Sequence, residues 1–341
     1  MSGTLRPSLA IAIAGLLHCS SMAVAQPLDR VTLALNWKAQ PELGGFFQAL
    51  ADGTYRDHGL EVTIKSGGPM VNNRPLLAFE QVEFLIATNL LQPFDAVKQG
   101  IPTRAVAAIF QRDPQCLLAH PDADYRSWAD LREAPLFMGN TGRQSFFRWL
   151  TTAHGFSRGK LRPYNHNLAP FLADRTAVMQ GYATAEPKRI EEAYGRAPAI
   201  FLLADQGWSS YSTLIETRQS LIDERPELVQ RFVSASIAGW RRYLAADYEP
   251  AAANALIQRG NPSLTDAQIA FSRRAMRELQ LFEGLDGVEP APQPGEIRLP
   301  RVRAFYDEMV AAGMYAADEL DPAAAVALQF TAGPETPSSG R

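Results

Sequence analysis

From residue 31 onward the chain alternates short apolar runs with amphipathic segments. "VTLAL" (31–35) leads to a helix-like stretch at 45–55, "LEVTIKSGG" (60–68) to a short helix at 74–79, and "VEFLIAT" (82–88) to "LLQPFDAVKQG". "RAVAAIF" (104–110) and "CLLAH" (116–120) follow. Strand-sized runs separated by helix-sized segments predict a sheet covered by helices. Near Pro121 the series restarts: "SWADLREA" predicts a helix, "PLFMG" a strand, and "RQSFFRWLTTAHG" a helix stopped by Gly155. "KLRPYNHN" is a weaker strand, "RTAVMQGYA" reads as helical, and "AIFLLA" (199–204) as a strand.

After "WSSYSTLIET" the pattern is almost wholly helical, with apolar residues recurring at three- and four-residue intervals from 224 to 330. Leu228, Phe232, Ile237 and Trp240 lie on that period, which assigns them to packing on a sheet. Thr265 with Asp266 marks a helix cap. Two α/β series followed by a helical section suggest two α/β lobes interrupted in sequence, and a simple two-domain chain fits the pattern nearly as well. The first comprises 26–120 and 211–333 and the second 121–210, with crossings near Ala119 and Trp208. The last residues, 334–341, read as a frayed tail.

The N-terminus changes the cellular picture. Arg6 precedes the apolar segment "LAIAIAGLL" (9–17), and "SMAVA" places Ala23 and Ala25 before Gln26. That is the form of a cleaved signal peptide over 1–25, and the apolar segment is well short of the ~20 residues that span a bilayer. His18 before Cys19 argues against a lipoprotein signal. The net charge of −3 disfavours polyanions as partners. After cleavage Cys116 is the one remaining cysteine, so no intrachain disulfide forms; it reads as a buried small hydrophobe. His58, His120, His154 and His166 are scattered without metal-ligand spacing.

Several stretches together resemble the NMT1/THI5-like group, solute-binding proteins of ABC importers related to thiamine-pyrimidine synthesis and sulfonate binding. They are "NWKAQPELGGFFQALADGTYRDHGLEVTIKSGGP", "GYATAEPKRIEEAYG", "YSTLIET", "RVRAFYDEMVAAGMY" and "AVALQF". The resemblance implies a type II periplasmic-binding fold whose two lobes close on a small ligand in the periplasm. The partners it implies are that small molecule and a transmembrane ABC permease with its cytoplasmic ATPase. The chain is expected to be a monomer without cofactor and without nucleic acid.

Ligands of open α/β sheets collect beyond the carboxyl ends of strands, which selects the residues there. Asn36 and Trp37 end the first strand, Trp37 as a flat wall and Glu42 beyond it as an acceptor for an N–H donor. Gly44 and Gly45 open the next helix, where missing side chains permit close backbone approach. Gly67 in "SGGP" and Asn89 in "TN" follow the second and third strands. Asn140, Thr141 and Gly142 lie between a strand and a helix start. Their glycines are separated by two residues and no Lys-Ser/Thr pair follows, so this is not a phosphate-binding P-loop. Tyr182 and Glu186 are four apart and share a face if one helix carries both, with Pro187 ending or bending it. The resemblance also points to this segment as ligand-facing. Tyr211 sits at the return crossing.

Aromatic faces with carboxylates and no arginine cluster favour a heteroaromatic ligand such as a thiamine pyrimidine precursor. The alternatives are a sulfonate- or nitrate-type anion, or a sensing module for a membrane receptor. Enzyme chemistry is not expected. A eukaryotic relative of this family makes the thiamine pyrimidine with a cysteine-rich motif that this chain lacks, and no G-x-S-x-G or H-E-x-x-H motif is present.

Overall fold

The computed structural model describes residues 27–69, 71–285 and 292–331. The expected signal peptide and the tail at 334–341 lie outside the described residues. Two five-stranded sheets organise the rest. The first contains β1 (Asp29–Ala34), β2 (Leu60–Lys65), β3 (Phe84–Asn89), β4 (Thr103–Phe110) and β10 (Ser212–Arg218), in the order β2-β1-β3-β10-β4. The second contains β5 (Gln115–Ala119), β6 (Leu136–Met138), β7 (Leu161–Pro163), β8 (Val178–Tyr182) and β9 (Ala199–Leu202), in the order β7-β6-β8-β5-β9. β1, β2 and β3 run parallel, as do β6, β7 and β8, while β10 and β5 run antiparallel to their neighbours. With helices packed on them, these sheets make two α/β lobes. Among the described residues, no helix is long and apolar enough to cross a membrane.

Two expectations are corrected here. Within "RTAVMQGYA", "VMQGY" is not helical but β8, the middle strand of the second sheet. Val178, Met179 and Gly181 are all buried, so the run lacks the alternation that marks a half-buried strand. A Cβ on Gly181 would lie 2.5 Å from the Leu118 side chain on neighbouring β5, which explains a glycine in a central strand. The first crossing also comes earlier than Ala119. β5 pairs with β8 and β9, so the chain leaves the first sheet between Phe110 and Gln115. The polar linker "QRDP" is that crossing; two adjacent apolar runs on either side of it read as one series.

Both crossings are fastened from the C-terminal side. Asp113 accepts from Trp208 Nε1 at 2.9 Å and from the Gln115 amide at 3.1 Å, joining one crossing to the other. Arg301, on helix Leu299–Ala311, donates to the Gln111 carbonyl (2.7 Å) and to those of Ser209 (2.8 Å) and Ser210 (3.2 Å). Its guanidinium stacks 4.0 Å above the Tyr211 ring. One hydrophobic cluster runs beneath this hinge, from Ala87 and Ala108 of the first sheet through Phe305 to Leu117 and Leu136 of the second.

Helix Pro226–Leu244 covers the first sheet, and Leu228, Phe232, Ile237 and Trp240 are buried as their period predicts. Thr265 caps helix Asp266–Glu278 through a reciprocal box with Gln268. Cys116 is free and fully buried, and burial pushes its thiol pKa well up. A thiol reagent at pH 7.5 should therefore leave the folded chain from Gln26 unmodified and label one thiol per chain after unfolding. Rapid labelling without denaturant would contradict the packing.

Candidate functional site

The loop after β1 is built by close backbone packing. Asn36 Nδ2 donates to Thr88 Oγ1 at 2.9 Å, tying the end of β1 to that of β3. The Gly67 amide donates to the Trp37 carbonyl at 2.9 Å, and a Cβ on Gly67 would stand 2.5 Å from the Leu35 carbonyl oxygen. Glycine is therefore required there to seat one loop on another and hold Trp37 in place. Trp37, half-buried, reaches the other lobe, its ring 5.1 Å from the ring of His166. His166 in turn lies 5.2 Å from Tyr164, beyond β7. An aromatic ladder thus spans the cleft.

Glu42 sits in the short turn Pro41–Leu43 and is 3% exposed. Burial, with a smaller push from the Glu186 carboxylate, raises its pKa to about 7. The hydroxyls of Thr184 and Ser272 lie close enough to pull it partly back. Yet among the described residues neither Glu42 Oε1 nor Thr184 Oγ1 completes a hydrogen bond, although both are buried. Ser272 spends its own hydroxyl on the Gln268 carbonyl.

Tyr182 and Glu186 meet, but not on one helix. Tyr182 ends β8, Glu186 begins helix Glu186–Tyr194, and Pro187 lies in the first turn instead of terminating anything. The Tyr182 amide donates to Glu186 Oε2 at 2.8 Å, and the Tyr182 hydroxyl meets Ser212 Oγ at 3.2 Å, across the two sheets. Burial raises the Glu186 pKa, opposed by the Tyr182 amide and by Arg189, whose Nη1 is 3.5 Å from Glu186 Oε1. Burial also holds the Tyr182 phenol well above its ordinary range. Burial lowers the His166 pKa, with smaller contributions from the Arg189 and Lys38 charges.

Trp37, Glu42, Tyr182 and Glu186 are therefore brought together between the lobes, and His166, Tyr164, Thr184 and Arg189 join them. Other singled-out residues have different occupations. Asn89 is buried and accepts from the Leu91 amide at 3.1 Å, opening helix Leu91–Lys98. Tyr211 is buried at the hinge, accepting from the Arg298 amide at 3.0 Å. Asn140 and Thr141 are exposed on the short helix Asn140–Gln144. The Gly139 amide before that helix already donates to Gln180 Oε1 at 3.0 Å, and a Cβ on Gly142 would meet the same oxygen. Gly44 and Gly45 face the rings of Tyr243 and Trp240, so their lack of side chains serves helix packing and not a ligand.

The NMT1/THI5-like family model matches residues 40–250, more than half of the chain. A riboflavin-binding protein, RibY of Chloroflexus aurantiacus, is 27% identical over 230 residues, an alignment covering 65% of this chain and 64% of that protein. Among solved structures, the alkanesulfonate-binding protein SsuA of Xanthomonas axonopodis pv. citri, bound to MOPS, superposes with a TM-score of 0.61 at 13% identity. That match covers 89% of this chain and 99% of SsuA. The desulfurization enzyme DSZB matches at a TM-score of 0.54 and 13% identity, over 89% and 97% of the two chains. These structures share the fold, which carries binding proteins and an enzyme alike. The chain belongs to the NMT1/THI5-like family.

Proposed function

We propose that this is an exported solute-binding protein of an ABC importer. It would close its lobes on a flat heteroaromatic ligand bearing N–H groups, a flavin or a thiamine-type pyrimidine, and deliver it to a membrane permease. The observation that carries the ligand class is the buried Glu42 carboxyl with its unpartnered oxygen. A buried acceptor without a donor costs roughly 1–3 kcal/mol, a cost that a ligand N–H removes on binding. The Trp37, His166 and Tyr182 rings from both lobes supply flat walls. A sulfonate or nitrate would bring a further negative charge beside Glu42 and Glu186, which disfavours the anion reading. The riboflavin-binding relative supports a heterocycle over an anion. Because Trp37 and Glu42 come from one lobe and Tyr182 and Glu186 from the other, ligand contacts are complete only when the lobes meet, and binding favours closure.

The test is a thermal-shift panel on the chain from Gln26, using riboflavin, lumiflavin, 4-amino-5-hydroxymethyl-2-methylpyrimidine, ethanesulfonate and nitrate. A ligand at a hundred times its dissociation constant stabilises by about 2.7 kcal/mol. We expect a shift with a heterocycle and none with the anions. In Trp37→Ala the affinity should fall at least tenfold, about 1.4 kcal/mol. A shift with ethanesulfonate or nitrate alone would reverse the assignment of ligand class.

A further inference from the structure

Glu42 and Thr184 approach each other from opposite lobes. Glu42 lies in the turn before helix Gly44–Ala51, and Thr184 in the turn between β8 and helix Glu186–Tyr194. Both are buried, and the Thr184 hydroxyl lies close enough to the Glu42 carboxyl to lower its pKa, yet among the described residues neither Glu42 Oε1 nor Thr184 Oγ1 completes a hydrogen bond. Neighbouring polar groups are otherwise engaged. Glu186 takes the Tyr182 amide and faces Arg189, Ser272 donates to Gln268, and Tyr182 meets Ser212. A hydroxyl donates one proton, and above pH 7, where Glu42 is ionised, its carboxylate only accepts. The two side chains therefore present one acceptor and one donor, side by side.

We propose that Glu42 and Thr184 are a split reader of a heterocycle's donor–acceptor edge, and that Thr184 is a specificity-determining residue of the site. Glu42 accepts a ligand N–H, and the Thr184 hydroxyl donates to the ring carbonyl or ring nitrogen beside it. The lactam edge of a flavin and the aminopyrimidine edge of a thiamine precursor both carry this pattern. The inference rests on the heteroaromatic reading above. It adds that neither lobe alone reads the edge, so a heterocycle lacking it binds to an incompletely formed site. A site built to hydrogen-bond such groups rejects analogues without them far more strongly than one that only measures shape.

Isothermal titration at pH 8 with matched pairs tests it: lumiflavin against 3-methyllumiflavin, and 4-aminopyrimidine against 4-dimethylaminopyrimidine. The methylated member of each pair cannot donate to Glu42. Wild type should prefer the unmethylated member of the pair it binds by at least tenfold, which also tells the two ligand sources apart. Thr184→Val, close in shape, should bind that unmethylated ligand at least tenfold more weakly, and Thr184→Ser should restore most of the affinity. A purely packing role predicts the opposite order, with Val tolerated and Ser impaired. Equal binding of methylated and unmethylated members, or full affinity in Thr184→Val, overturns the edge reader and leaves the heteroaromatic reading standing. No binding of any heterocycle overturns both. Circular dichroism of each variant confirms folding, and Thr184→Ser carries the comparison if the Val variant does not fold.

Discussion

Glu42→Gln should make the ligand-free protein more stable at pH 8 while weakening ligand binding at least tenfold. Burial raises the Glu42 pKa from an ordinary 4.5 to about 7. An acid with a raised folded-state pKa keeps its proton in the native state while the unfolded chain has lost it. Between pH 4.5 and 7 the native state therefore binds more protons, and stability falls as pH rises through that window. Above pH 7 the whole penalty is present, on the order of 3 kcal/mol for a displacement of that size. Glutamine removes the charge, so the variant should melt roughly 5 °C higher at pH 8. Near pH 4.5 the two proteins should converge. Ligand binding moves the other way, because a neutral amide accepts an N–H about half as strongly as a carboxylate. Melting curves from pH 4.5 to 8.5, with and without ligand, check both halves. A variant that is less stable at pH 8 would show that Glu42 is a satisfied structural ion, not a group held ready for a ligand.

The legible part of this site was the part with a local cause. Trp37 and Glu42 follow an apolar strand within a few residues, and a Trp in a connection already asks for a partner. The capped helix at Thr265 and the αL glycine at Gly155 were readable for the same reason: each needs only its immediate neighbours. β8 was not readable. Buried on both faces, "VMQGY" carries no period-two signal, and its strand geometry comes from pairing with β5 and β6, which are remote in sequence. A helical reading of that run makes Pro187 a stop or a bend, whereas the residue lies in the first turn of the helix that Glu186 begins.

His166 and Thr184 were hidden for a different reason. His166 stands in a loop with φ +66°, and its role depends on a ring contributed by the other lobe. Thr184 is one hydroxyl among many until the fold buries it beside Glu42. Residues of this kind are set by the approach of two lobes and leave no mark in local spacing. Asn89 shows the converse: its side chain accepts from the Leu91 amide in the turn that leads into helix Leu91–Lys98, a local contact that spacing alone does not distinguish from a ligand contact.

Gly44 and Gly45 carry the strongest test of that distinction, through the helix they face. A Cβ on Gly45 would stand 2.1 Å from the Trp240 ring, and one on Gly239 would stand 2.4 Å from the Gly45 carbonyl oxygen and 2.7 Å from Ala49 Cβ. Trp240 has little room to yield, with Phe46, Phe110, Tyr243 and Phe282 around it at ring distances of 5.2 to 6.3 Å. Alanine gains about 1 kcal/mol over glycine in helix propensity. Overpacking costs typically 1–3 kcal/mol and more where the obstacle is backbone. Sterics therefore win, and Gly239→Ala should lose a net ~2 kcal/mol, with Gly45→Val losing more or failing to fold. The discriminating readout is affinity. If these glycines exist for the crossing of helices Gly44–Ala51 and Pro226–Leu244, folded Gly239→Ala binds ligand as wild type does, within about twofold, while unfolding at lower urea. Normal stability with lost binding would return Gly45 to the ligand and remove the packing explanation.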